Sequence, residues 1–282
     1  MRKKNSISKT IPRMILAFIG SVFLVMFTLL LSFRLTLFSE RHFQSVIKQT
    51  NYVTTLTKEI NTNLQGVALG SNVPKSVLKN AVPEKVVAQN INKYIHSIYQ
   101  PSETFEIEGL TTVEQNITQK ITDYANQNQL SMVSESSIAE LSNHLVEQVK
   151  EYIALPYLVN FGQRIMSYRL LLSAATVVLG IITLVILFIL YRMLRGFMHR
   201  LLRFSSYIFI SSGFMAAIFP TILLINHSYT GLKMESKSME TLFSTYISSF
   251  LWQFIIIGGI FIVLGVLSAI LSETLRGRLV KR

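Results

Sequence analysis

The chain has no cysteine among its 282 residues. This absence excludes disulfide bonds, thiolate nucleophiles and cysteine-ligated zinc sites. The sequence also lacks the His-Glu-x-x-His pattern of zinc proteases, the Gly-x-Ser-x-Gly turn of serine hydrolases and a glycine-rich ATP-binding loop. We therefore expect no cofactor and predict a non-enzymatic protein.

Charged residues are scarce as well, at 15% of the chain, whereas half the residues are hydrophobic and the mean hydropathy is +0.42. This composition favours a membrane protein over a soluble domain. Four apolar runs are each close to the ~20 residues that an α-helix needs to cross a bilayer: Met14–Ser32, Leu170–Tyr191, Phe204–Ile225 and Ile247–Leu271. No ionisable residue lies in the central part of any run, which disfavours ion-coupled transport.

Basic residues flank these runs on one side only. Lysine and arginine concentrate on the cytoplasmic side of membrane proteins, so the pattern predicts a multi-pass protein of the cell membrane with cytoplasmic N- and C-termini. The flanking residues are Arg2, Lys3, Lys4, Lys9 and Arg13, then Arg192, Arg195, Arg200 and Arg203, and finally Arg276, Arg278, Lys281 and Arg282.

The predicted fold class is an all-α integral membrane protein with four transmembrane helices and a large extracytoplasmic helical bundle between helices 1 and 2. The cytoplasmic segments are 1–13, 192–203 and 272–282, and the transmembrane helices are 14–37, 169–191, 204–225 and 247–271. The extracytoplasmic segments are the domain at 38–168 and a short loop at 226–246.

The net charge of +12 does not indicate nucleic-acid binding. The segment from Phe38 to Tyr168 carries 10 basic and 12 acidic residues, so the excess positive charge belongs to the membrane flanks. The expected partners are the lipid bilayer and a protein of the envelope or membrane. Homo- and hetero-oligomers both remain open.

Apolar residues of the outside domain recur at helical spacing. Val46, Val53, Ile60 and Val67 recur every seven residues, which predicts that the first membrane helix continues outward as one amphipathic helix toward Leu69. Gly70 to Pro74 should end that helix.

Three further helices are predicted in the same way. One follows Pro83 and ends near Gln100, one is capped by Thr111 or Thr112, and one is capped within Ser134 to Ser137. Phe105 to Glu108 alternate over four residues only, enough for a short extended piece. Pro156 should kink or interrupt the chain before the second membrane helix.

Two groups of residues are candidates for contacts. Arg192, Arg195, Arg200 and Arg203 could couple to a cytoplasmic partner, although simple anchoring at the membrane interface is the favoured explanation. Small residues four apart favour close helix packing and form the second group: Gly213 with Ala217, and Gly265 with Ala269.

Two other patterns are best explained without a function. Glu140, His144, Glu147 and Glu151 share one helix face and could meet a divalent cation, but this face lies opposite the apolar stripe and should be a solvated surface. We predict no metal site there. Asn116-Ile117-Thr118 fits a glycosylation acceptor but lies mid-helix, where chance is the simpler explanation.

The order of one helix, a large outside domain, two helices, a short outside loop and a last helix resembles the FtsX-like permease family. That resemblance covers layout only, and it implies a transmembrane subunit working with a separate cytoplasmic ATPase. Separately, the segments Val73 to Leu78 and Asn90 to Ile95 look like parts of uncharacterised four-span membrane proteins of Gram-positive bacteria.

The sequence therefore predicts a non-enzymatic protein of a bacterial cell envelope whose outside helical domain binds or senses another envelope component. The alternative is the permease-type subunit. About 130 residues lie in the predicted outside domain, whereas the predicted cytoplasmic segments are too short to form a domain of their own.

Overall fold

The computed structural model describes residues 2–100, 105–128, 134–153, 162–227, 230, 234 and 236–280. Over these residues all regular structure is α-helical. The helices are α1 (Arg2–Leu35), α2 (Glu40–Gln49), α3 (Tyr52–Gly70), α4 (Glu84–Tyr99), α5 (Leu110–Gln127), α6 (Glu135–Ile153), α7 (Arg169–Met193), α8 (Met198–Ile225) and α9 (Lys237–Val280).

Four helical stretches are long and apolar enough to cross a membrane: Thr10–Leu35, Gly162–Met193, Met198–Ile225 and Lys237–Arg278. The predicted all-helical class and the four membrane-length helices are confirmed. Helical structure extends beyond the apolar runs, because α8 begins at Met198 and α9 begins at Lys237, inside the segment predicted as an outside loop.

The chain divides into two compact units. The four-helix unit comprises Met1–Ser39, Tyr168–Leu232 and Tyr246–Arg282, and it contains α1, α7, α8 and most of α9. The domain unit comprises Glu40–Ser167 and Lys233–Thr245, and it contains α2 to α6 and the first turns of α9.

In the four-helix unit, α1 packs along both α7 and α8. Its buried stripe is made mainly of small and hydroxyl-bearing residues and continues one residue past the helix: Ala17, Gly20, Ser21, Leu24, Thr28, Ser32 and Thr36. A Cβ added at Gly20 would lie 3.1 Å from side-chain atoms of both Ile186 and Ile208. Small side chains therefore let two neighbouring helices approach the α1 backbone closely.

The hydroxyl groups on this stripe are bonded mostly within α1 itself. Thr28 donates to the carbonyl of Leu24 at 2.8 Å, and Thr36 donates to that of Ser32 at 2.7 Å. Such bonds to the preceding turn satisfy a polar group without a partner helix, which is why hydroxyl residues are tolerated in apolar surroundings.

In the domain unit, apolar stripes of five amphipathic helices form one core. α3 packs against α2, α4 and α6, and α6 packs in turn against α4 and α5. Fully buried side chains come from every helix of the bundle, including Val46, Leu56, Ile60, Leu64, Val87, Ile95, Val113, Ile117, Leu145 and Val149. Burial of such side chains supplies the main stabilising free energy of a domain without disulfides.

The predicted continuous helix from the membrane to Leu69 is wrong. The chain leaves helical geometry between Leu35 and Glu40, and again at Asn51, which has a left-handed φ of 49°. Asparagine is one of the few non-glycine residues that adopt this conformation readily. In α3 the buried stripe then follows a four-residue spacing through Leu56, Ile60 and Leu64, whereas Val53 is only partly buried.

The predicted boundaries of the other helices are partly right and partly wrong. α3 ends at Gly70 as predicted, and α4 follows Pro83. The cap at Thr111 or Thr112 is wrong, because α5 begins at Leu110 directly after Gly109, which has a φ of +75°. Ser134 does cap α6, since its Oγ accepts the Ser137 N–H at 3.2 Å.

Two of the remaining expectations concern short stretches of chain. Phe105 to Glu108 form no strand. Pro156 lies outside the described residues, so the predicted kink there stays a prediction.

Candidate binding groove and helix clamp

Helix α3 carries two polar features beside its buried stripe. One is a groove along the side chains of Thr54, Lys58 and Thr62, and the other is the carboxylate of Glu59. Lys58 and Glu59 are neighbours in sequence, but successive residues of an α-helix point about 100° apart. The two features therefore lie on different faces of one packed helix.

The groove lies between α3 and the connection from α3 to α4. It has a volume of about 610 Å³. Its lining is rich in hydrogen-bonding side chains: Thr54, Thr57, Asn61, Thr62, Gln65, Ser76 and Asn80, together with Lys58, Lys75, Lys79 and Glu84. Of the described residues, only Val82 and Pro83 add apolar side chains to that lining. This lining suits a polar ligand better than a hydrophobic one.

Asn61 holds in place the wall of the groove that is formed by the connection from α3 to α4. Its Oδ1 accepts the backbone N–H of Val82 at 3.0 Å, and its Nδ2 donates to the carbonyl of Val82 at 3.1 Å and to that of Thr57 at 2.8 Å. Because the Asn61 and Val82 side chains are buried, these bonds replace ones that water would otherwise make. The wall is thus held to α3 by a paired amide bridge.

A second asparagine makes the same kind of bridge elsewhere in the domain unit. The Oδ1 of Asn90 accepts the N–H of Glu108 at 2.8 Å, and its Nδ2 donates to the Glu108 carbonyl at 2.9 Å. This bridge holds the chain just before Gly109, where α5 begins. It explains why the helix starts there and not at the threonines.

The groove is positively charged. Lys58, Lys75 and Lys79 are exposed, and within the part of the chain that the structure describes none of them has a carboxylate partner within 4 Å. Among the described residues of the lining Glu84 is the one acidic side chain, and it accepts a hydrogen bond from Thr54 at 2.7 Å. Three ammonium groups against one carboxylate give the groove a net positive potential.

Glu59 clamps the beginning of α9. Its carboxylate accepts the Ser238 N–H at 2.8 Å, the Ser238 hydroxyl at 2.7 Å and the Ser236 hydroxyl at 2.7 Å. The Ser236 Oγ also accepts the Met239 N–H at 3.2 Å, so Ser236 is the N-cap. A carboxylate at this position satisfies an otherwise unpaired N–H and complements the positive end of the helix dipole.

Tyr52 lies near the same carboxylate. Burial raises the pKa of Tyr52 to about 12, and the negative charge of Glu59 adds to the effect. The phenol therefore stays neutral over the physiological pH range.

A second cavity, of about 700 Å³, lies between α5, α6 and the end of α3. Glu140 and His144 reach its rim, while Ile121, Ile138 and Leu141 give it an apolar lining. The helix face considered for a divalent cation is a solvent-facing surface, since Glu140, His144, Glu147 and Glu151 are all exposed. Among the described residues no three acidic, histidine or cysteine side chains are placed to hold a metal ion.

The side-chain nitrogen of Asn116 is already engaged. It donates to the carbonyl of Ala81 at 2.8 Å, and the residue is half-buried in α5. This bond holds the backbone at Ala81 to α5.

The four arginines around the α7–α8 turn have different surroundings. Arg203 pairs with Glu273 of α9 at 3.3 Å, and Arg200 lies over the ring of Phe197 at 5.0 Å. Arg192 and Arg195 are exposed. Two of the four side chains are therefore engaged within the four-helix unit, and two are directed to the surroundings.

The small residues of α8 and α9 meet across one close crossing. A Cβ added at Gly213 would lie 2.5 Å from the carbonyl oxygen of Gly258, and one added at Gly258 would lie 3.3 Å from the Cβ of Ala217. Gly265 faces Ile210 in the same way, with 2.5 Å to its side chain, while Ala269 is half-buried. The sequence analysis missed Gly258, although the Gly258-Gly259 pair was the available signal.

Sequence reasoning also missed the polar residues that organise the domain unit. Asn61 and Asn90 interrupt the apolar stripes of α3 and α4, and a buried asparagine in such a stripe signals a bridge to backbone. No comparable signal identifies Glu59, because its partners are about 180 residues away in sequence.

No protein-family model, curated protein or solved structure matches this chain.

Proposed function

We propose that the chain is a four-span protein of a bacterial cell envelope whose domain unit faces the outside, binds another envelope component and passes the binding event to the membrane helices. The distribution of lysine and arginine supports the orientation, with 1–13, 192–203 and 272–282 cytoplasmic. The domain at 38–168 and the loop at 226–246 are then extracytoplasmic. Binding and not catalysis is proposed because the groove offers a polar surface without a nucleophile-and-base arrangement in the described lining.

The observation that carries this proposal is the course of α9. Residues up to Thr245 belong to the domain unit and residues from Tyr246 belong to the four-helix unit, yet Lys237 to Val280 form one uninterrupted helix. Glu59 holds its first turn. A helix that belongs to both units is a direct route for a mechanical signal, since packed helices move largely as units.

This route replaces the one that a continuous first helix would have offered. The two breaks between α1 and α3 allow the chain to bend, whereas α9 has no such break. A ligand that shifts α3 would shift Glu59 and with it the N-terminus of α9. In this proposal Glu59 is the positioning residue of the link.

The binding role can be tested with a photo-reactive amino acid placed at position 62, on the groove, or at position 197, in the α7–α8 turn. Each variant of the full chain is expressed in its natural host and irradiated in intact cells. We expect a specific adduct from position 62 with a component outside the membrane. A position on the exposed surface of α6, such as 147, provides the control.

Two results would contradict the binding role. Equal adduct yields from positions 62 and 147 would mean that the groove has no special affinity. An adduct between position 197 and a cytoplasmic ATPase, without one from position 62, would favour the permease-type subunit.

The link through α9 is tested by a cysteine replacing Gly277, which has open space around it in this naturally cysteine-free chain. We expect Glu59→Gln to change the rate at which a thiol reagent labels this cysteine, because the substitution removes the charge that holds the first turn of α9. Glu106→Gln removes an exposed charge of the same domain unit and is the matched control. Identical labelling rates in both variants would refute the link.

The orientation is tested by single cysteines at positions 120 and 197. A membrane-impermeant reagent applied to intact cells should label position 120 and leave position 197 unlabelled. The reverse pattern would overturn the proposed topology.

A further inference from the structure

We propose that the groove on α3 binds a hydroxyl-rich phosphate ester, either as part of a soluble polymer or as a lipid headgroup. This inference rests on the proposed function, since it names the ligand class of the same outside domain. It is argued from the charge, the hydrogen-bonding groups and the rigidity of the groove.

The charge of the groove selects an anion. Lys58 projects from α3, whereas Lys75 and Lys79 project from the connection to α4, so the positive charges come from two sides of the cavity. The domain segment as a whole has more acidic than basic residues. Three ammonium groups without a carboxylate partner among the described residues are therefore a local exception around one cavity, and an anionic ligand would relieve their mutual repulsion.

The cations of the groove suit a phosphate group. Arginine presents a planar fork that matches a carboxylate or a phosphate group, whereas lysine presents a compact point charge and is a common phosphate ligand. All three cations of the groove are lysines. A phosphate group offers several oxygens in a tetrahedral arrangement, which point charges from different directions can approach.

The remaining lining favours a ligand that also carries hydroxyl groups. Thr62 and Ser76 provide hydroxyls, and Gln65 and Asn80 provide amides that can donate and accept. Such groups match the alternating donors and acceptors of a polyol or sugar. The volume of about 610 Å³ is sufficient for several such units, as it falls within the usual range for ligand pockets.

The groove is also held in shape before any ligand binds. The amide bridge from Asn61 fixes Val82, and Leu78 and Ala81 of the same connection are fully buried. The backbone that carries the groove's polar residues is thus anchored at several points. A preorganised site loses less conformational entropy on binding than one that must fold around its ligand.

The position of Lys58 connects this site to the proposed output. Lys58 precedes Glu59, the residue that clamps α9, on a helix whose buried stripe is tightly packed. A phosphate group bound to Lys58 would act on the same turn of α3 that carries Glu59. The proposed ligand-binding residue Lys58 and the clamp residue Glu59 are therefore adjacent in sequence.

The test uses the full chain in phosphatidylcholine nanodiscs and an oligomer of glycerol phosphate as the soluble probe. We expect saturable binding by calorimetry, weakened roughly ten- to a hundredfold when Lys58, Lys75 and Lys79 are all changed to glutamine. The matched control changes Lys48, Lys93 and Lys150 of the same domain unit to glutamine. It removes the same charge away from the groove and should alter binding by less than about twofold. Thermal unfolding verifies that both variants are folded.

A second experiment distinguishes a soluble polymer from a lipid headgroup as the source of the ligand. Vesicles of phosphatidylglycerol and of phosphatidylcholine are offered to the nanodisc-embedded chain in place of the oligomer. Binding to the oligomer assigns a soluble polymer, and groove-dependent binding to phosphatidylglycerol vesicles alone assigns a lipid headgroup.

The inference is overturned if neither probe binds, if neutral polyglycerol binds as well as the phosphate oligomer, or if the two triple variants lose affinity equally. In each case the ligand class is wrong. The photo-reactive residue at position 62 tests the binding role independently, so an adduct there would leave the proposed function standing.

Discussion

Replacing Asn61 with alanine tests how the groove is built. The substitution removes three hydrogen bonds of the side chain, two of which satisfy the N–H and carbonyl of buried Val82. An unsatisfied buried backbone group costs about 1–3 kcal/mol. Because Asn61 lines the groove, water can partly replace the lost bonds, so we expect a total loss of about 2–4 kcal/mol in the free energy of unfolding of the domain unit.

Hydrogen exchange of the full chain in detergent measures this effect at the amide concerned. A loss of about 2–4 kcal/mol corresponds to an exchange rate at Val82 that rises roughly 30- to 1,000-fold if exchange requires opening of the domain unit. Asn128→Ala removes an exposed asparagine whose side chain bonds to the carbonyl of Tyr124, and it is the matched control. It should change stability by less than about 0.5 kcal/mol.

A second variant distinguishes the amide bridge from simple packing. Asn61→Asp keeps an acceptor for the Val82 N–H but places a carboxylate against the carbonyls of Thr57 and Val82. Desolvation and these two dipoles should raise the folded-state pKa of the new carboxyl group above its unfolded value. The variant should therefore regain stability as the pH falls and lose it as the pH rises. Exchange at Val82 unchanged in Asn61→Ala, or no pH dependence in Asn61→Asp, would refute the bridge.

Three further predictions concern packing and pH. Gly258→Ala should destabilise the four-helix unit by about 1–3 kcal/mol in detergent unfolding, because its Cβ would meet a backbone oxygen at 2.7 Å, whereas Gly259→Ala meets nothing within 4 Å and should be tolerated. Ile60→Asp should cost the domain unit several kcal/mol by burying an unpaired charge, and Thr62→Asp on the exposed face should cost little, as thermal unfolding would show. Burial lowers the pKa of His42 below 6.5, so its contribution to stability is present above pH 6.5 and is lost as the pH falls; His42→Gln should flatten the dependence of the unfolding midpoint between pH 7 and 5.

Most of the helices follow from apolar spacing in the sequence, because a stripe that recurs every three to four residues must be buried against another element. The stripes around Val113 and Leu145 indeed form core positions of α5 and α6. The spacing does not reveal where a helix breaks. Val46 and Ile60 are both buried although the left-handed Asn51 separates them, so a regular pattern of apolar residues persisted across an irregular backbone.

The candidate site was less accessible to sequence reasoning. The lysines of the groove are spread over α3 and the following connection, and their convergence depends on the backbone between Ser71 and Pro83. That backbone is set by tertiary bonds such as the bridge from Asn61. Glu59 likewise gains its role from residues that lie far away in the chain. Local propensity carries no information on either contact, since both arise from packing.

The hydroxyl-bearing stripe of α1 has a consequence for biosynthesis. If the four helices cross a membrane as proposed, α1 is synthesised and inserted before its neighbours α7 and α8, from which residues 36–168 separate it. During that interval its inner face meets lipid alone. Because Thr28 and Thr36, the latter one residue past the helix, bond to carbonyls of α1, those groups need no partner helix to enter hydrocarbon. The first helix can therefore remain in the bilayer as a stable insertion intermediate. Its small residues then form the surface against which the later helices pack.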